Sequence, residues 1–159
     1  ADVGEMLLDA MEQRLRDAPL AWRPGARALL RQARDLGVPT ALVSASWSRL
    51  IQAVEHRIDD ALGTRAFDVV IAGDDVENSK PHPDPYLAAA AALGVGPADC
   101  LALEDSPTGV RSAVSAGCRV VAIPHIAPVT EMAALVIDTL EGADLSDLWR
   151  RACAPAACR

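Results

Sequence analysis

The chain is 159 residues long, 51% apolar and only 3% aromatic, which is enough for one domain with a core built from Ala, Leu and Val. Its formal net charge of −7 argues against a nucleic-acid binder, which needs a basic face, and against a polybasic membrane-surface protein. No apolar run approaches the ~20 residues of a membrane span, and Asp2, Glu5, Asp9 and Glu12 spread acid across the segment where a secretory leader is apolar; a cytoplasmic protein is expected.

Val3, Leu7, Ala10, Met11 and Leu15 recur at helical spacing and predict an amphipathic helix over 3–17, ending before Pro19. Residues 22–25 read as a loop. Pro24 then suits the first turn of a helix running to Leu36, with Gly37 as its stop. Val38 to Val43 reads as a short apolar strand, Trp47 to Leu62 as a helix closed by Gly63, and Phe67 to Ala72 as a second strand. Asp84-Pro85 offers a helix start running to Leu93 and Gly94. Cys100 to Leu103 is a third strand, Pro107 to Ala116 a helix, Arg119 to Ile123 a fourth strand, and Leu135 to Ile137 a short fifth; Leu145 to Cys153 closes as a helix.

Strands and helices that alternate over short links predict an α/β fold, a doubly wound parallel sheet. The strands are continuous apolar runs, as expected where helices cover both faces. Residues 1–18 form a separate helix in this reading, 19–153 the core and 154–159 a flexible tail. Cys100 and Cys118 open apolar runs and read as small buried hydrophobes, while Cys153 and Cys158 lie near or in the tail.

Ligands bind such sheets at the carboxyl ends of the strands. The residues there are Ser44-Ala45-Ser46, Gly73-Asp74-Asp75, Glu104-Asp105-Ser106 and Pro124-His125. Glu104 and Asp105 are adjacent carboxylates that repel unless a cation neutralises them. Hard oxygen ligands of this kind suit Mg²⁺, which takes only one or two protein carboxylates. The plainer reading is that Asp105 or Ser106 merely caps the following helix. Ser44 and Ser46 stand before a helix N-terminus, where hydroxyls and free amides can cradle a phosphate or simply cap. Of the fifteen basic residues fourteen are arginine, and the one lysine, Lys80, lies in a loop stiffened by Pro81, Pro83 and Pro85. A compact ammonium can contact a carboxylate and a phosphoryl oxygen together; the alternative is a solvated lysine in a stiff turn.

Taken as a set, strand–Ser44, then Lys80-Pro81-His82-Pro83-Asp84, then strand–Glu104-Asp105-Ser106-Pro107-Thr108-Gly109 resembles the haloacid dehalogenase superfamily across roughly residues 20–150. The wording Val43-Ser44-Ala45-Ser46 with Leu103-Glu104-Asp105-Ser106 is similar to the subgroup of β-phosphoglucomutase and sugar-phosphate phosphatases. The resemblance implies that Ser44 hydrogen-bonds a phosphoryl group, with Ala45 and Ser46 completing the cradle. It implies that Lys80 bridges nucleophile and phosphate, that Asp105 binds Mg²⁺, and that Glu104 is a ligand or stands close behind one. Gly109 would permit close helix packing, and residues 1–18 would be the last helix of an inserted cap.

One family element has no match. The first motif is an apolar strand ending in Asp-x-Asp, whose first Asp attacks phosphorus and whose second is the general acid/base. Asp59-Asp60 lies in a helix, Asp74-Asp75 is adjacent rather than alternate, and the stretch from Asp144 to Asp147 follows no apolar strand. The resemblance puts the missing strand between those bearing Ser44 and Glu104. Its absence would leave a slot with unpaired backbone groups, at about 1–3 kcal/mol for each one buried. A segment upstream of Ala1, or an associated fragment, is therefore expected to supply it. The resemblance implies a Mg²⁺-dependent phosphatase acting on a small phosphomonoester, a sugar phosphate first, and inactive as this chain alone. A β-phosphoglucomutase-type mutase and a non-catalytic binding module are the competing readings.

Overall fold

The computed structural model describes residues 2–125, 127–129 and 133–154. The elements follow the expected alternation: α1 (Val3–Asp17), α2 (Ala26–Asp35), β1 (Ala41–Val43), α3 (Ser48–Leu62), β2 (Val69–Ile71), α4 (Asp84–Leu93), β3 (Leu101–Glu104), α5 (Pro107–Ser115), β4 (Arg119–Ala122), β5 (Leu135–Val136) and α6 (Leu145–Cys153). A single 3-10 turn over Pro97–Asp99, not expected from the pattern, leads into β3. Of the tail 154–159, only Ala154 lies within the described residues.

Every strand pair is parallel, but the strands form two sheets. β1 pairs with β2, from Ala41 opposite Val69 to Val43 opposite Ile71. β3 pairs with β4, from Leu101 opposite Arg119 to Glu104 opposite Ala122, and β4 pairs with β5. β1 and β3 share no ladder among the described residues. The arrangement is thus a parallel α/β core divided along one line.

β1 is shorter than the apolar run suggested. The Val38 amide still bonds back to Ala33 of α2, Pro39 has no N–H to give a ladder, and the Thr40 amide donates to the Asp68 carboxylate. The core lies on both faces of the larger sheet. Val120, Val121 and Ala122 of β4 are almost wholly buried; one face packs on α5 through Val110 and Ala113 and the other on Leu29 and Leu148 from α2 and α6. Cys118 is buried with the first group, whereas Cys100 is only half-buried, contrary to the expectation of a fully buried thiol.

α1 behaves differently. It lies against α3 through charge: Arg49 pairs with Asp9 at 2.6 Å and with Glu12, and the Arg57 guanidinium donates to the Leu15 carbonyl at 2.6 Å. Its apolar face is open, with Val3 80% and Leu7 61% exposed. No helix among the described residues is long and apolar enough to cross a membrane.

Candidate active site

The turn after β1 is pinned to the turn after β2. The Ser44 amide donates to Ile71, and the Gly73 amide to the Ser46 carbonyl at 2.8 Å. A side chain at Gly73 would place its Cβ 2.4 Å from the Ala45 carbonyl oxygen, so the two turns approach only because residue 73 has none. Asp74 fastens the arrangement by accepting from the Ser48 amide at 2.7 Å and its hydroxyl at 2.9 Å. The Ser48 amide holds the Asp74 carboxyl below the usual carboxylate range. The Ser44 hydroxyl accepts the Ser46 amide at 3.1 Å, a local turn that leaves Ala45 and Ser46 exposed.

Lys80 is not a surface lysine. Its side chain is 9% exposed and pairs with Glu104, itself 7% exposed, while Nζ also donates to the Val43 carbonyl at 3.0 Å. The Tyr86 hydroxyl donates to the same Glu104 oxygen, and the ammonium stands 5.1 Å from the Tyr86 ring centroid, within cation–π range. Burial, and then the adjacent Glu104 charge, push the Tyr86 phenol well above its ordinary range. The loop carrying Lys80 is anchored by the Ser112 hydroxyl, which donates to the His82 carbonyl at 2.5 Å.

The two adjacent carboxylates separate. Glu104 turns inward, and a Cβ on Gly109 would lie 1.9 Å from its Oε2, so the bare glycine face of α5 is what admits the carboxylate. Asp105 turns outward, 53% exposed, with the Arg23 guanidinium 3.6 Å away. Ser106 caps α5 by accepting the Gly109 amide. The capping alternative is therefore met by Ser106, and Asp105 is left for other work. Arg23 also donates to the carbonyls of Ile123 and Pro124. His125 is exposed.

Between β1 and β3 runs an apolar cavity of about 690 Å³, with Leu42 and Val43 on one wall, Leu101 and Leu103 on the other, and Tyr86 along its side. Along a strand, successive residues turn their amide and carbonyl to opposite edges. Thr40 and Ser44 turn theirs to β2, and Cys100 and Glu104 theirs to β4. It follows that Ala41, Val43, Leu101 and Leu103 aim their backbone groups into the cavity. The Val43 carbonyl already carries Lys80 there.

The structure thus brings Ser44, Lys80, Glu104 and Asp105 to neighbouring strand ends. Sequence reasoning passed over Tyr86 and Arg23. The available signal for Tyr86 was that it is the only tyrosine in the chain, in the first turn of the helix that follows the proline loop.

Residues 2–117 match the family model of haloacid dehalogenase-like hydrolases, and the chain belongs to that family. It is 38% identical over 120 residues to hexitol phosphatase A of Escherichia coli, covering 74% of this chain and 54% of that protein. It is 37% identical over 89 residues to E. coli phosphoglycolate phosphatase, covering 56% and 34%. Among solved structures, CbbY of Rhodobacter sphaeroides in complex with phosphate superposes with a TM-score of 0.81 at 30% identity, over 92% of this chain and 67% of that one. A β-phosphoglucomutase from Clostridium difficile shares the fold, with a TM-score of 0.72 at 22% identity. The chain spans about half the length of the first of these curated relatives.

Proposed function

We propose that the protein is a Mg²⁺-dependent phosphatase of small phosphomonoesters, sugar phosphates as a class, whose attacking aspartate lies on a strand upstream of Ala1. The observation that carries this reading is the cavity. It is lined by apolar side chains and by strand edges that face each other, and it opens beside Lys80, as an inserted parallel strand would require. The family match and the phosphatase relatives point the same way, and CbbY has been solved with xylulose-1,5-bisphosphate bound.

In this reading the aspartate carboxylate attacks phosphorus, the sugar leaves with a proton from the second aspartate, and water then cleaves the aspartyl-phosphate. Ser44 and the amides of its turn bind phosphoryl oxygens. Lys80 offsets charge on the transferring group while Glu104 holds its ammonium in place. Magnesium fits in part. Asp105 offers one outward carboxylate, Glu104 is engaged by Lys80 and Tyr86, and no group of three or more potential ligands converges among the described residues. One carboxylate is within the usual need of Mg²⁺, whose remaining positions fall to water, substrate and the upstream aspartates. When bound, the ion would neutralise charge on the phosphoryl oxygens.

A mutase differs only in using a sugar hydroxyl in place of water. A binding module would have the same core without the aspartate. The test is to express the chain with its upstream residues and assay p-nitrophenyl phosphate with and without Mg²⁺. Magnesium-dependent turnover that disappears in Asp105→Ala is expected. Inactivity of the extended protein across a panel of phosphate esters would leave the binding-module reading.

A further inference from the structure

We propose that Tyr86 is a positioning residue for Lys80, an inference that rests on the phosphatase reading above. A lysine ammonium sits at the end of four rotatable bonds, and one carboxylate does not fix it, because the carboxylate itself can turn. Here the carboxylate cannot turn freely. One oxygen of Glu104 takes both Lys80 and the Tyr86 hydroxyl, while the other lies against Gly109, where a side chain would collide with it.

Tyr86 also acts on the lysine directly, since its ring is 5.1 Å from the ammonium. The two residues are carried on one stiff stretch, with Pro81, Pro83 and Pro85 between them. The tyrosine is buried, at 9% exposed, so its hydroxyl has no ready exchange of partner with water. The result is an ammonium held on the Val43 carbonyl, at the edge of β1 that faces the cavity. Phenylalanine would keep the volume and the ring but remove the donor. Glu104 would then turn toward Lys80 alone and draw it off the Val43 carbonyl, away from where a phosphoryl group would lie.

The experiment uses the full-length protein, p-nitrophenyl phosphate and Mg²⁺. Tyr86→Phe is expected to lower kcat by about tenfold to a hundredfold, the scale of a misplaced catalytic group, with KM within about twofold. Because the tyrosine acts through the lysine, adding Tyr86→Phe to Lys80→Met should cost nothing further. A purely packing role would leave kcat unchanged or add its loss to that of Lys80→Met, and either result overturns the proposal. Full activity in Lys80→Met alone would instead sink the phosphatase site and the positioning role with it. A measurement independent of turnover is the Tyr86 hydroxyl proton, assigned by its loss in Tyr86→Phe: in the full-length protein with labelled tyrosine it should exchange slowly by NMR. A hydroxyl exchanging as fast as that of free tyrosine also overturns the proposal.

Discussion

Lys80 and Val43 are joined by a hydrogen bond of 3.0 Å from the ammonium to the strand carbonyl, and through Glu104 the same ammonium is bound to β3. One side chain therefore ties together two sheets that share no ladder among the described residues. This gives Lys80 a structural duty besides any role with phosphate. Removing one partner of a buried ion pair costs about 3–5 kcal/mol, a large share of the ~5–15 kcal/mol by which domains are stable. Lys80→Ala should lower the urea midpoint sharply, whereas Asp105→Ala, at an exposed position, should leave it nearly unchanged. Equal midpoints for the two variants would contradict the geometry. Asp105→Ala is thus the cleaner test of function.

Gly109 makes a second test possible. Its missing Cβ is the space that Glu104 occupies, with a built Cβ 1.9 Å from the carboxylate. Gly109→Ala should destabilise by about 1–3 kcal/mol, as overpacking does, although alanine favours a helix on propensity alone. In a Glu104→Ala background the same substitution should be neutral or stabilising. Additive effects in that double-mutant cycle would show that the collision is relieved elsewhere.

The pH dependence has two arms. At the alkaline end, the Tyr86 phenol is raised by burial and by the Glu104 charge, so the folded chain keeps a proton that the unfolded chain loses near pH ~10. Its contribution is fully present below that pH and falls as pH rises beyond it. As the only tyrosine, it should show no phenolate absorbance until the chain unfolds; phenolate appearing near pH ~10 in a folded chain would contradict its burial.

At the acid end, Asp68 is held below the usual carboxylate range, first by the Thr40 amide and also by Arg34. Its contribution is present above its unfolded value of ~3.9 and is lost as pH falls through the lower folded value. Asp68→Asn should flatten the acid limb of a stability–pH curve and leave the neutral plateau lower. An unchanged acid limb would assign acid unfolding to other groups, Asp74 and Asp84 first, whose carboxyls are also lowered.

Much of this was legible because local signals and tertiary context agree. Gly63 and Gly94 end α3 and α4 where expected, and the apolar runs became parallel strands. Ser44, Lys80 and Glu104-Asp105 could be found because strand ends of such a sheet face one edge. The direction of each carboxylate could not. That Glu104 turns in and Asp105 out depends on the bare surface at Gly109 and on a tyrosine one helix away, contacts that spacing along the chain does not encode. The side of α1 that meets α3 is not encoded by spacing either. Amphipathic spacing says which side chains lie together, while the charged contacts of Arg49 with Asp9 and Glu12 decide which side meets α3.

The divided sheet leads to the last prediction. The amides of Val43, Leu101 and Leu103 face the cavity, whereas that of Ser44 is bonded to Ile71. In the 159-residue chain the first three should exchange with solvent deuterium much faster than Ser44 and the buried amides of β4, because unpaired edge groups have no bond to break. Adding the upstream residues should slow all three together, since one inserted strand pairs with both edges at once. Protection of Val43 alone would mean that only the β1 edge is covered. If none of the three is slowed, the cavity is not a strand site and the attacking aspartate must reach Lys80 by another route.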